Sequence, residues 1–216
     1  MVSAVLTLAA PATMLTGTPA SALTPPQLQS KVLTLNNLPT GWAVSTFNAL
    51  GELPDCISGL QLNTAAEHET VSASFRDGTL PLLEEDVGWV SSGASGDYKL
   101  IVQALRGCRK PFVVSLDAVP ATVTIEPMSF RTYGDRSSAF AMGTAFRYDG
   151  VPLSTGTDIV VFQVGRIVGV LFYGELGIPR PSLSGSFVTE AIDKIQGKAI
   201  PLSLLVCEVR PSCPSP

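Results

Sequence analysis

Two nearly uninterrupted apolar runs, Ile159 to Val164 and Ile167 to Tyr173, are separated only by Gly165-Arg166, and they constrain this chain more than any other feature. A two-residue connection with Gly first predicts a tight hairpin closed by a type II′ or I′ turn. Strands with one wet face alternate apolar and polar residues, whereas these do not. Both faces of the hairpin must therefore be covered, which places it at the centre of a sheet.

Other segments supply the neighbours. Val71, Ala73 and Phe75 alternate with Ser72 and Ser74, and Val119, Ala121, Val123 and Ile125 alternate with Thr122, Thr124 and Glu126. Phe140, Met142, Phe146 and Tyr148 mark a third period-two stretch, and Trp42, Val44 and Thr46 a short one after the Leu38-Pro39-Thr40-Gly41 turn. Helical spacing appears in Leu100, Ile101, Ala104, Leu105 and Cys108, and again in Phe187, Val188, Ala191, Ile192 and Ile195, with Gly197 placed to end the second helix. Thr24-Pro25-Pro26 opens a short helix over Gln27 to Leu33. The order is helix, strands, helix, several antiparallel strands, helix. That predicts an α+β domain, a twisted antiparallel sheet with helices packed on it, and not a doubly wound parallel fold.

The N-terminus predicts an address. Met1 to Leu15 is uncharged and apolar, and Ala20-Ser21-Ala22 closes the segment with a small-x-small triplet, as in a secretory signal peptide cut after Ala22. No Lys or Arg precedes the apolar run, which departs from the usual signal pattern. The expected organisation is a signal peptide over 1–22, one α+β domain over 23–200 and a Pro-rich tail over 201–216. No further stretch is long enough to span a membrane. Four cysteines, Cys56, Cys108, Cys207 and Cys213, fit two disulfides in an exported chain. Three pairings are possible. The favoured one joins Cys56 to Cys108 and Cys207 to Cys213, the latter across a turn at Arg210-Pro211-Ser212 that would pin the tail. In the chain-entropy model the long loop adds about 4 kcal/mol and the short one about 2–3 kcal/mol.

Chemistry is sparse. Charged residues make up 15% of the 216, where about 25% is usual. The net charge of −4 argues against a nucleic-acid partner. A lone histidine, His68, lies between Glu67 and Glu69 in what reads as a solvated turn. There is no G-x-S-x-G elbow, and Ser95 reads as the N-cap of the helix that follows it. Glu84-Glu85-Asp86, the one dense acidic run, reads as a solvated face without the spaced ligands of a calcium loop. No catalytic set, metal site or cofactor is expected. Phe140, Phe146, Phe162 and Phe172 fill a core or line an apolar cleft for a hydrophobic ligand.

The run Leu33 to Trp42 (LTLNNLPTGW), Cys56, the helix closing on Leu105-Arg106-Gly107-Cys108, and Tyr133-Gly134-Asp135 through Asp158 to Gly165 together carry a resemblance over roughly residues 32 to 197. The chain resembles a family of actinobacterial exported proteins, including the LpqN-type mycobacterial proteins with a PsbP-like sandwich and the extracellular sensor domains of PknH-type receptor kinases. The resemblance implies a twisted antiparallel sheet with helices on one side, a Cys56–Cys108 bridge and residence in the envelope or outside the cell. It implies no enzyme and supplies no catalytic residues. The chain departs from the lipoprotein members in lacking a lipobox Cys, and from the kinases in lacking a kinase domain and a membrane span. The expected role is a secreted, non-enzymatic envelope protein binding a hydrophobic small molecule or an envelope component. The alternatives are a structural or antigenic wall-associated protein and an envelope hydrolase acting through His68 or the acidic residues.

Overall fold

The structure, a computed structural model, describes residues 23–46, 69–90, 94–116 and 119–198. The expected signal peptide, the 201–216 tail, His68, Cys56, Cys207 and Cys213 lie outside the described residues.

The two apolar runs form β7 (Val151–Val164) and β8 (Ile167–Leu176), with Val164 opposite Ile167 across the Gly165-Arg166 turn. Gly165 has a φ of 59° and Arg166 is not left-handed, which is the II′ pattern. The remaining strands are β1 (Trp42–Val44), β2 (Glu69–Asp77), β3 (Leu82–Trp89), β4 (Phe112–Leu116), β5 (Val119–Met128) and β6 (Arg136–Tyr148). They form one antiparallel sheet in the order β1-β2-β3-β8-β7-β6-β5-β4, so the hairpin occupies the two central positions as its composition requires.

Covering both faces of that hairpin takes helices on both sides of the sheet. On one face, α1 (Pro25–Gln29) and α3 (Pro181–Ile195) pack over Leu83, Val87, Val160, Phe162, Leu171 and Tyr173. On the other, α2 (Ala94–Gly107) packs over Val123, Ile125, Phe140, Ile159, Val161 and Phe172. The expectation of helices on one side is therefore corrected. Strands without alternation need two covers, and each face here has its own core.

Helix details follow from local chemistry. All five predicted positions of α3 are buried, and Gly197 (φ 73°) donates to the Lys194 carbonyl at 3.0 Å to close it. In α2 the buried stripe is Tyr98, Ile101, Val102 and Leu105, while Leu100 is 64% exposed. Ser95 lies inside the first turn of α2, not at its cap, and its Oγ accepts from Arg136 Nη2 at 2.9 Å. The helix expected to reach Leu33 stops at Gln29. Ser30 Oγ donates to the Gln27 carbonyl at 2.7 Å, and the Leu33 N–H donates to Glu85 Oε2 at 2.6 Å instead of continuing the ladder.

The largest correction concerns Glu84-Glu85-Asp86. These residues form the middle of β3, paired on one side with Ser74, Ala73 and Ser72 and on the other with Phe172, Leu171 and Val170. None is more than 5% exposed. A third-from-edge strand in a covered sheet buries whatever its sequence supplies. Period two then splits the run, sending Glu84 and Asp86 to the α2 face and Glu85 to the α1/α3 face.

Candidate functional site

Three features hold unusual chemistry. The first is a solvent-open cleft of about 290 Å³ where the last turn of α2 meets the end of β5 and the start of β6. Arg106, Met128, Ser129, Phe130 and Phe140 line it, with Ser137 and Ser138. The local sequence explains the shape. Pro127 and Met128 are the last ladder partners, opposite Phe140 and Ala139, and the chain then leaves the sheet. Phe130 packs against Tyr133 with the rings tilted at 45° and their centroids 5.4 Å apart. Tyr98 and Ser138 share a hydrogen bond of 2.8 Å, and Ser137 Oγ accepts from the Tyr133 N–H at 2.9 Å. Among the described residues no carboxylate lines the cleft. Among the described residues, the Arg106 guanidinium makes no hydrogen bond or ion pair.

The second feature is the polar network under α3. Asn37 Nδ2 donates to Glu190 Oε1 at 2.8 Å, and Lys194 Nζ donates to Asn37 Oδ1 at 2.8 Å and to Thr34 Oγ1 at 3.2 Å. Glu85 sits nearby with Oε2 engaged by Leu33 and Oε1 without a partner. Burial pushes its carboxyl up to about 8, against the opposing pull of the Leu33 N–H and the Lys194 charge. Burial likewise raises Glu190 and lowers Lys194. These groups join the 25–38 segment to β3 and α3, a structural task.

The third is the pair Ser184 and Asp158, buried where α3 crosses β7, with Ser184 Oγ donating to Asp158 Oδ2. Burial raises the Asp158 carboxyl. Both groups are shut away from solvent, and among the described residues no imidazole lies beside the serine. Among the described residues, no group of three His, Cys, Asp or Glu side chains could hold a metal ion.

The four phenylalanines do not line one cleft. Phe140 and Phe172 are buried on the α2 face, Phe162 is buried on the opposite face, and Phe146 is half-buried further along β6. Only Phe140 reaches the cleft. Cys108 is buried beside the end of α2 on the α2 face, and its predicted partner Cys56 lies outside the described residues. Arg106 and Ser129 have no local sequence signal of function. They become neighbours only when α2 is laid across β5.

No protein-family model matches the sequence, and a search of curated proteins finds no match. Among solved structures, the chain is similar to the extracellular domain of PknH from Mycobacterium tuberculosis. The TM-score is 0.53 at 9% identity, over 82% of this chain and 98% of that one. The likeness is one of fold. It agrees with the α+β sheet that the sequence resemblance implied. Among the described residues no helix is long and apolar enough to cross a membrane.

Proposed function

We propose that this chain is an exported, non-enzymatic binding domain of the cell envelope that holds a small ligand in the cleft at the end of α2. The observation that carries the reading is an Arg106 guanidinium without a partner among the described residues, beside a partly apolar floor, in a cleft whose described lining holds three serine hydroxyls and no imidazole or carboxylate. The fold shared with an extracellular domain supports the address. At about 290 Å³ the cleft is at the small end of ligand pockets, typically about 300–1,000 Å³, so it suits a small molecule better than a two-chain lipid. Native mass spectrometry of the protein purified from its own host is expected to show a co-purifying small mass that competes with added cleft ligands. A bare polypeptide mass at every stage of a gentle purification would overturn the reading.

A second reading, a wall-associated protein that binds a macromolecule, draws on one observation. Tyr148, Val151, Leu153, Leu176 and Ile178 are all exposed at the end of the sheet where β6 and β8 finish and β7 begins, and Ile178 is 91% exposed. Export also bears on the cysteines. Non-reducing peptide mapping is expected to join Cys56 to Cys108 and Cys207 to Cys213, and a peptide joining Cys56 to Cys207 would refute that pairing.

A further inference from the structure

We infer that the cleft at the end of α2 selects a small amphipathic anion, a carboxylate or phosphate monoester on a short apolar tail; the inference rests on the binding reading above. Arg106 presents a planar fork of donors suited to such a headgroup, and no acidic side chain among the cleft residues competes for it. Ser129 is exposed beside it, and its hydroxyl has no hydrogen-bond partner among the described residues. The other two serines are committed, Ser138 to Tyr98 and Ser137 to the Tyr133 N–H. The polar groups left for a ligand are therefore a cation and one hydroxyl, which together complement an anion. Met128, Phe130 and Phe140 supply the apolar wall for a tail. A neutral ligand would leave the exposed guanidinium to water and gain nothing from its charge, and the volume suits a short tail.

The test is an NMR titration of the intact chain with three probes of one tail length: hexanoate, hexyl phosphate and hexanol. At least one anion is expected to shift the Ser129, Phe130 and Phe140 amides saturably and to bind about tenfold or more tighter than hexanol. Which anion binds better assigns the headgroup. Arg106→Gln is expected to abolish the preference, whereas Arg109→Gln, three residues along the chain and outside the cleft lining, keeps it. Equal binding of hexanol and both anions, or an anion preference retained in Arg106→Gln, would overturn the inference. A neutral mass co-purifying with the native protein, with no anion preference in the titration, overturns the anion and leaves the binding reading in place. No host ligand and no probe binding overturns both.

Discussion

Gly169→Ala is expected to destabilise the protein by about 3 kcal/mol or more, lowering the thermal midpoint by roughly 10 °C. Gly169 lies directly opposite Phe162 in the central hairpin, and the Phe162 ring lies across it. A Cβ at position 169 would come 2.2 Å from Cζ of that ring and 2.5 Å from Cε2. The ring has nowhere to go, because Phe162 is fully buried under α1 and α3. The strain must then be taken by the two central strands, on which both cores depend. The glycine is required by the packing of its neighbour and not by its backbone, since its φ is not in the left-handed region. Shrinking the ring should therefore relieve the clash. Phe162→Leu alone costs a cavity, but in that background Gly169→Ala should cost at least about 1 kcal/mol less than in the parent, a coupling that urea denaturation of the four-member cycle measures. Gly96→Ala, in the first turn of α2 with open space around its added methyl, is the matched control and should be neutral or stabilising by about 0.5–1 kcal/mol. Additive costs for positions 162 and 169 would show that the ring does not set the tolerance.

The hairpin was legible because its two runs lack alternation, a pattern that only double coverage explains. The strict alternation of β5 and the stripe of α3 were legible for the same reason, since a single burial rule accounts for each residue. Strand β3 was not. Three consecutive acids read as solvated, and the apolar period of Leu83, Val87 and Trp89 skips a beat at Glu85. That interrupted alternation was the available signal, outweighed by the charge at its centre. The first half of β7 was also missed, although Asp149-Gly150 between Tyr148 and Val151 is a strong turn pair, and both residues adopt positive φ, 49° and 78°. The cleft had no such trace. Arg106 is a last-turn basic residue of a kind common in helices. Its relation to Ser129 and Phe140 depends on how α2 crosses β5, which is set by long-range packing that no local pattern records.

Glu85→Gln is expected to stabilise the protein by about 3 kcal/mol at pH 7 and to leave it unchanged near pH 4. The carboxyl is fully buried on the α1/α3 face, and burial holds it up at about 8, against 4.5 for an ordinary glutamate. Its native pKa lies above its unfolded value, so the folded state binds more protons across that interval. Stability is therefore complete below about pH 4.5 and declines as pH rises through 8, by about 1.4 kcal/mol per pH unit from this group. Glutamine resembles the protonated acid, keeps an oxygen for the Leu33 N–H and has no charge to expose. Burial raises Asp86, Asp158 and Glu190 in the same direction, so the parent curve contains their slopes too. The difference between the parent and Glu85→Gln curves removes those shared contributions. Urea denaturation at intervals from pH 4 to 9 should give a difference that opens steadily and flattens near pH 8. Parallel curves, or a variant less stable at pH 7, would contradict the burial argument. A direct reporter is available in the same molecule. The Leu33 amide donates to Glu85 Oε2 at 2.6 Å, so its proton shift should titrate with a midpoint of about 8 in the parent and lose that transition in Glu85→Gln.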